Sequence, residues 1–218
     1  MRRIFIDIET LPPAECGHAE CSGRDPCPDE AYRKLALKGE LGRLLCVGLI
    51  VEQNGVITQR GVLGRDRSTL RFHLDEVKTL RGVWRQFEGF DVRRDLVIGH
   101  NLFDFDLLFL LKRSIVHQVR PPVNLSFARY RSQPVFDTMR EWEKWAYARI
   151  SLNELAQALH LKSSKGDLDG SKVYEAFMKS DHVAIADYCL EDVMLTREIF
   201  YKMRFEQCER AEALAKAS

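Results

Sequence analysis

The sequence predicts an α/β protein whose mixed sheet starts with an N-terminal strand and an antiparallel hairpin. In residues 1–10 (MRRIFIDIET), Ile4, Ile6 and Ile8 alternate with other side chains, which is the period-2 pattern of a strand. Residues 43–64 form two strand-like segments around Asn54-Gly55, a dipeptide that favours a tight type I′ turn. Strand-like and helical segments then alternate along the chain, which indicates an α/β sheet protein.

The remaining elements are predicted from apolar periodicity and end signals. In chain order they are a helix over 31–38, a strand over 70–73, a helix starting near Asp75, a strand over 95–101 with a helix after it, a strand over 135–139, and helices from Arg140 onward. Ser151 and Glu154 form a capping box, a cap worth about 1 kcal/mol. The last long helix is predicted to begin near Ser180 or Asp181 and to run past Phe200.

Length and composition indicate one soluble globular domain. The chain has 218 residues, of which 45% are hydrophobic and 30% charged, with a net charge of +1. No apolar run approaches the length of a membrane span, and Asp7 interrupts the first apolar run too early for a secretory signal. The 6 cysteines therefore predict free thiols in a reducing, cytoplasmic compartment.

A segment at about 12–42, rich in proline, cysteine and charge, interrupts the strand pattern after Leu11. Its Cys16, His18, Cys21 and Cys27 supply the donor types of a tetrahedral structural zinc site. The usual close pair of cysteines two residues apart is missing, so an exposed loop with free thiols remains the alternative.

Acidic residues occur inside two strongly apolar elements. Asp7 and Glu9 lie two residues apart, so their side chains project from the same face of the first strand. Asp192 lies in the apolar stripe of the last helix, with Tyr188 one turn before it. Taken singly, a solvent-facing strand and a Tyr-Asp hydrogen bond between helix and sheet would explain these residues.

A further acid, Asp106, lies in the first turn of a predicted helix, where the macrodipole favours a carboxylate; Asp104 competes for the same role. If all these acids converge, each pair about 4 Å apart repels by about 4 kcal/mol at an effective dielectric near 20. Bound cations would relieve that repulsion, and carboxylate ligands suit Mg²⁺ or Mn²⁺. Two such ions about 4 Å apart are the arrangement for phosphodiester hydrolysis by in-line displacement.

Three segments in order resemble the exonuclease motifs of the DEDD superfamily, namely DIET (7–10), GHNLFDFD (99–106) and YCLEDV (188–193). A tyrosine four residues before the last aspartate is typical of the DEDDy branch, whereas the histidine branch would have histidine at position 187. The chain resembles the stand-alone predicted 3′–5′ exonucleases related to the proofreading domain of family B DNA polymerases, and SLNELAQALHL and GDLDGSKVYEAF support that subgroup. The resemblance implies a ribonuclease H-like fold, a five-stranded mixed sheet with the first strand central and helices on both faces. Residues 1–218 would together form one exonuclease domain.

The resemblance also implies roles for the acids. Asp7 would bridge two metal ions, Glu9 and Asp192 would complete the shell of the first ion, and Asp106 would hold the second. Tyr188 would orient the attacking water or help to deprotonate it.

Substrate contacts are implied as well. Thr10 and Leu11 would line the pocket for the terminal nucleotide, with Leu11 as a wedge. Asn101 and Phe105 would contact substrate, and their spacing selects Asp106 over Asp104 as the ligand. Other candidates for phosphate contact or base stacking are Arg120, Arg129, Arg131, Lys162, Lys165, Phe127 and Tyr130. Scattered solubilising charge is the alternative for the basic residues.

The resulting prediction is a 3′–5′ exonuclease that uses two Mg²⁺ or Mn²⁺ ions and releases nucleoside 5′-monophosphates from the 3′ end of single-stranded DNA. The alternatives are the same chemistry on RNA, and a catalytically silent nucleic-acid-binding module. No polymerase region is recognised in the sequence, so a role in replication or DNA repair would need a partner chain.

Overall fold

The computed structural model describes residues 1–15, 30–162 and 168–208. The strands are β1 Arg2–Leu11, β2 Arg43–Gln53, β3 Val56–Leu63, β4 Leu96–Gly99 and β5 Val135–Asp137. The α-helices are α1 Glu30–Lys34, α2 Glu76–Arg85, α3 Asp106–Val116, α4 Thr138–Trp142, α5 Leu152–Ala158, α6 Val173–Met178 and α7 His182–Met203. Short 3-10 helices cover Leu35–Leu37 and Gly170–Lys172. The predicted zinc ligands Cys16, His18, Cys21 and Cys27, together with Lys165, lie outside the described residues.

In the described part of the chain, the strands form one mixed sheet of five strands in the order β3-β2-β1-β4-β5. β1 pairs antiparallel with β2 and parallel with β4, while β4 pairs parallel with β5. The hairpin turn between β2 and β3 has positive φ angles of 53° at Asn54 and 87° at Gly55, as a type I′ turn requires. The predicted fold class, with a central first strand and an Asn-Gly hairpin, is therefore confirmed.

Helices cover both faces of the sheet, and the alternation of β1 decides which side chains meet which layer. Ile4, Ile6 and Ile8 pack in a core cluster with α2 and α3. Phe5 points the other way, where its ring contacts Phe200 of α7 at a centroid distance of 5.6 Å. Because Asp7 lies two residues beyond Phe5, its side chain belongs to the α7 face of the sheet.

Buried charged networks fix the helices that carry the site. Glu52 of β2 is fully buried, and it accepts hydrogen bonds from Arg197 at 2.5 Å and from the Tyr201 hydroxyl at 2.7 Å, both on α7. On the other face, the Glu76 carboxylate accepts from Arg113 of α3 at 2.6 Å and from the Leu44 backbone at 2.7 Å. Charge-assisted bonds of this kind define one orientation of each helix on the sheet.

Three predicted elements differ in the structure. The strand over 70–73 is reduced to one isolated bridge between Arg65 and Phe72, because positive φ angles at Leu70 and Leu74 break the extended backbone on either side. The strand over 135–139 ends at Asp137, whose side chain caps α4. The helical region from Arg140 onward is interrupted by a loop at 143–150 before α5.

The predicted capping box of α5 is confirmed, with Ser151 and Glu154 each accepting from the backbone of the other. Asp75 caps α2 and Asp181 caps α7, as their positions in the sequence indicated. No helix within the described ranges is both long and apolar enough to span a membrane.

Candidate active site

Two carboxylates of β1 form the centre of the candidate site. Asp7 and Glu9 lie on the α7 face of the sheet, and a β-bulge shifts the β1–β2 register directly after Glu9. Such a bulge re-aims side chains at the end of a strand. A carboxylate oxygen of each residue and the Sγ of Cys189 all lie within 4.8 Å of one another, a spacing suitable for a shared metal ion.

Asp106 joins the same site from the first turn of α3. It is 2% exposed, and its Oδ1 accepts a hydrogen bond from the backbone N–H of Ile8 at 3.1 Å. The β1–β4 ladder ends at Phe5 paired with Ile98, so Asp106 satisfies a backbone group of β1 beyond the end of that pairing. This bond fixes the start of α3 between the two acids of β1.

The neighbouring Asp104 lies in a different environment. Its carboxylate forms ion pairs with Arg140 and with Arg149, the latter at 3.8 Å. The structure therefore brings Asp106, the aspartate that the motif spacing selects, to the acids of β1, while Asp104 pairs with guanidinium groups.

Helix α7 supplies the other predicted residues. Asp192 is 8% exposed, and the Tyr188 hydroxyl one turn before it forms a hydrogen bond with its carboxylate. The helix approaches β2 closely at Gly48, where a Cβ atom would lie 2.8 Å from Val193 and 2.9 Å from the Cys189 carbonyl oxygen. Glycine at this position allows α7 to bring Tyr188 and Asp192 to the acids of the sheet.

Cys189 is a site residue that the sequence analysis missed. Its thiol is fully buried and hydrogen-bonds to the Asp7 backbone oxygen at 3.7 Å, to Asp7 Oδ2 at 3.6 Å and to Cys46. Its position directly after Tyr188 on a helix was the available signal. It lies among the acids because α7 turns this side chain toward β2.

The electrostatics of the site reflect crowded acids. Burial, followed by the charges of Asp106, Glu9 and Asp192, raises the pKa of Asp7 well above its ordinary value. Burial and the nearby charges of Asp192 and Asp106 also raise the pKa of Glu9. Burial raises the pKa of Asp106 to about 7, against the opposing effect of its backbone hydrogen bonds. Carboxyl groups in this state hold protons that a bound cation would displace.

The pKa of Tyr188 is raised as well. Burial raises the pKa of its hydroxyl above the ordinary value, and the negative charges of Asp192, Glu9 and Asp7 raise it further. The phenol therefore keeps its proton near neutral pH and acts as a hydrogen-bonding group.

These donors fit hard divalent cations. The carboxylates of Asp7, Glu9, Asp106 and Asp192 come from three elements and lie close enough for their charges to affect one another. Oxygen ligands of this kind suit Mg²⁺ or Mn²⁺. Burial and, after it, mutual repulsion raise these pKa values, and positive charge at the site would oppose both effects. The residues present therefore fit a divalent metal centre.

The loop before α3 is held by Asp137, which the sequence analysis had placed only in a strand. Its carboxylate accepts hydrogen bonds from the backbone N–H groups of Asn101 at 2.9 Å and Phe103 at 3.1 Å, and it caps α4 through Met139 and Arg140. The Asp-Thr pair at the start of a helix was the signal that could have identified it.

Asn101 has two unusual features. Its φ angle of 65° is in the left-handed region, and its Oδ1 is buried with no hydrogen-bond partner among the described residues. A buried acceptor left unpaired costs about 1–3 kcal/mol. The side chain therefore presents an unused acceptor in the segment that leads to Asp106.

The other predicted substrate contacts are divided between surface and core. Leu11 is fully buried with Tyr32 and Leu45, and Thr10 is 8% exposed, so neither forms an open pocket wall. Phe105 is half-buried, and its ring contacts Phe109 at 5.8 Å. The wedge role of Leu11 stays a prediction.

The predicted basic contacts Arg120, Arg129, Arg131 and Lys162 are all exposed. Of the two aromatic candidates, Phe127 packs edge-on against Phe103 at 5.9 Å and belongs to the rim of the core. Tyr130 is 75% exposed.

Residues 66–213 match the model of a protein family described as predicted 3′–5′ exonucleases related to the exonuclease domain of PolB. The chain belongs to this family. The matched range contains the second and third motif segments of the chain, whereas the acids of β1 lie before this range. Membership supports nuclease activity in general.

A solved structure of a polymerase shares the fold of this chain. The family B DNA polymerase of the hyperthermophilic archaeon Pyrobaculum calidifontis is similar with a TM-score of 0.62 and 16% sequence identity. The similarity covers 94% of this chain and 24% of the polymerase, so the chain spans about a quarter of that protein's length. No curated protein matches the sequence.

Proposed function

We propose that the chain is a DEDDy-type 3′–5′ exonuclease that hydrolyses the terminal phosphodiester bond of single-stranded DNA and releases nucleoside 5′-monophosphates. The observation that carries this proposal is the convergence of Asp7, Glu9, Asp106 and Asp192 beside Tyr188. These residues come from β1, α3 and α7, which lie far apart in sequence. The proposal treats residues 1–218 as one exonuclease domain.

The proposal gives each acid the role that the family resemblance implies. Asp7 is central, since its carboxylate is affected by the charges of the other three acids, and it would bridge two divalent ions. Glu9 and Asp192 would complete the shell of one ion, and Asp106 would hold the other. When bound, two such ions stabilise the charge on the attacking and leaving oxygens of an in-line displacement.

Tyr188 would orient the attacking water. Its hydroxyl keeps its proton because burial and neighbouring carboxylates disfavour the phenolate. It therefore works through hydrogen bonds, with Asp192 holding the hydroxyl in place. Helping to deprotonate that water is the other role that the resemblance implies, and it stays part of the proposal.

Asn101 and Phe105 are proposed to contact the terminal nucleotide. Asn101 offers a buried, unpaired oxygen that a donor group on the substrate would satisfy. Asp137 positions this contact by holding two backbone N–H groups of the segment. Thr10, at the bulge after Glu9, would contact the terminal nucleotide through its backbone.

The test is release of mononucleotides from single-stranded DNA and from an RNA of matched sequence, separated by chromatography in Mg²⁺, Mn²⁺ or EDTA. The proposal expects release of 5′-monophosphates from DNA in either metal, none in EDTA, and loss in Asp7→Asn. Release from RNA alone would keep the chemistry and overturn the substrate. No release from either polymer would indicate the silent binding module.

A further inference from the structure

A stack of aromatic rings extends from the core to the surface beside the segment 101–106. Phe103 is 8% exposed, and its ring lies 5.1 Å from that of Trp145. Trp145 in turn lies 5.4 Å from Tyr130, which is 75% exposed. We call Phe103, Trp145 and Tyr130 the aromatic shelf. The outer ring of the shelf presents an open face to solvent.

The backbone that holds the shelf is strained. Tyr130 has a φ of 63°, Lys144 of 50° and Trp145 of 65°, which is the left-handed region that bulky side chains rarely adopt. Burial does not compensate for this strain at Tyr130, because most of its ring stays in solvent. Core packing of the Tyr130 ring therefore does not account for this conformation.

Positive charge flanks the outer ring. Arg129 and Arg131 are both exposed, and neither forms an ion pair with any residue in the described ranges. Arginine beside an exposed aromatic ring is typical of surfaces that bind single-stranded nucleic acid, because bases stack on the ring and phosphates meet the guanidinium groups.

The shelf is continuous with the candidate active site. Phe103 precedes Asp106 by three residues, which places their Cα atoms within about 11 Å of each other. Asp137 holds the Phe103 backbone at 3.1 Å, so the inner end of the shelf and the loop before α3 form one fixed unit. The inner end of the shelf therefore lies near the candidate active site, and Tyr130 lies two ring contacts farther out.

We propose that the aromatic shelf is a base-stacking site for single-stranded DNA upstream of the scissile bond, in which a nucleobase lies on Tyr130 while Arg129 and Arg131 contact phosphates. The placement of the DNA end rests on the proposed function, whereas the stacking itself can be measured without it. Since every base has an aromatic face, this site would bind without sequence preference.

The test measures the affinity of a fluorescent single-stranded oligonucleotide in EDTA, where no hydrolysis occurs. Tyr130→Ala is expected to weaken binding about tenfold, and Tyr130→Phe is expected to bind like the unmodified protein because the ring remains. The matched control is Phe205→Ala, which removes a ring that is 99% exposed at a residue with a φ of 56° at the end of α7. An equal effect of Tyr130→Ala and Phe205→Ala would overturn the proposal.

Salt dependence separates stacking from charge. Tyr130→Ala should leave the slope of log affinity against log salt unchanged, because no phosphate contact is lost. The double variant Arg129→Gln/Arg131→Gln should reduce the magnitude of the slope by about 1.4, since each single-strand phosphate contact contributes about 0.7. An unchanged slope in the double variant would overturn the phosphate contacts.

An abasic series locates the base. An oligonucleotide lacking the stacked base should bind the unmodified protein as weakly as Tyr130→Ala binds the intact strand, and the two losses should not add. Additive losses at every position would overturn stacking on Tyr130. Dependence on Tyr130 without any mononucleotide release in Mn²⁺ would support the shelf and contradict the proposed function. Release of mononucleotides, together with DNA binding that does not depend on Tyr130, would support the proposed function and contradict the shelf.

Discussion

Asp104 and Asp106 carry the same functional group two residues apart, and their surroundings give them opposite roles. Asp106 is buried against the Ile8 backbone and close enough to the acids of β1 for their charges to affect one another. Asp104 faces Arg140 and Arg149, so its charge is already compensated. The turn of the loop before α3 thus places one aspartate beside the acids of β1 and the other against two guanidinium groups.

The isosteric pair Asp106→Asn and Asp104→Asn tests this assignment. Asp106→Asn should lower kcat/KM for exonucleolytic release by at least about 100-fold, because losing even a supporting partner of a metal ligand typically costs 10–100-fold. Asp104→Asn should stay close to the unmodified protein. Steady-state kinetics in Mn²⁺ measures both, and a reversed ranking would contradict the placement of Asp106.

The orphaned oxygen of Asn101 gives a second residue-scale prediction. Asn101→Gly keeps the positive φ and removes the unpaired acceptor, so the free energy of unfolding in urea should not fall. Exonuclease activity should fall about tenfold if a substrate donor meets this oxygen, as for a hydrogen bond worth about 1.4 kcal/mol.

The matched control for Asn101 is Asn54→Gly, which replaces another asparagine with positive φ in the hairpin turn. It should leave activity unchanged. Full activity in Asn101→Gly would show that the oxygen has no partner in the substrate complex.

At the scale of elements, Asp137 joins β5, α4 and the loop before α3. Its carboxylate accepts hydrogen bonds from four backbone N–H groups, those of Asn101, Phe103, Met139 and Arg140. Burial nevertheless raises the pKa of this carboxyl. One side chain thus caps a helix and holds the segment that aims Asp106 at β1.

Replacement of this cap should affect both stability and activity. Asp137→Ala should lower the free energy of unfolding by about 2–3 kcal/mol, since bonds to a charged acceptor contribute about 1.5–3 kcal/mol and buried donors are left unpaired. Exonuclease activity should also fall, because the loop before α3 loses its anchor.

Asp75→Ala is the comparison, because Asp75 caps α2 through the single N–H of Lys78. It should lower the free energy of unfolding by about 1 kcal/mol and leave activity intact. Urea unfolding and kinetics on both variants check the prediction; equal activity in the two would deny Asp137 a positioning role.

Elements with local signals were predictable from the sequence, and those set by tertiary contacts were not. The Asn54-Gly55 hairpin, the Ser151–Glu154 box and the cap at Asp75 each depend on a few adjacent residues, and all three are confirmed. The prediction of a strand near Phe72 was wrong. Turns on either side, which the apolar content of the segment does not indicate, reduce this strand to one bridge.

The candidate site followed the same division. Spacing was enough to predict that Asp7 and Glu9 share a face, and the structure brings the other predicted acids to them. The thiol of Cys189 and the burial of Leu11 depend on how α7 and the neighbouring core pack against β1 and β2. Packing of this kind leaves no pattern in a single segment.

At the scale of the whole molecule, the crowded acids make stability depend on pH and metal. The pKa of Asp106 rises from its ordinary 3.8 to about 7 in the folded protein, where it binds a proton more tightly than in the unfolded chain. The stabilisation that this tighter proton binding gives to the folded protein is fully present below about pH 4, and it is lost as the pH rises through about 7. Without metal, the free energy of unfolding should therefore fall across this range by a few kcal/mol, because each tenfold difference in proton affinity between the folded and unfolded chain is worth about 1.4 kcal/mol.

Urea unfolding in EDTA at several pH values measures this fall. Asp106→Asn should show a smaller fall, since it has no proton to lose at this position and no longer adds its charge to those of Asp7 and Glu9. Mn²⁺ should also reduce the fall, because it stabilises the ionised carboxylates. The same pH dependence in both proteins would contradict the electrostatic description of the site.

The most direct test of the central claim is a gel assay of 5′-labelled single-stranded DNA incubated with the protein in Mn²⁺ or EDTA, beside the variant Asp192→Asn. We expect a ladder that shortens from the 3′ end in Mn²⁺, no ladder in EDTA, and a loss of at least about 100-fold in the variant. A ladder that persists in EDTA or in Asp192→Asn would contradict a metal-dependent site built on these carboxylates.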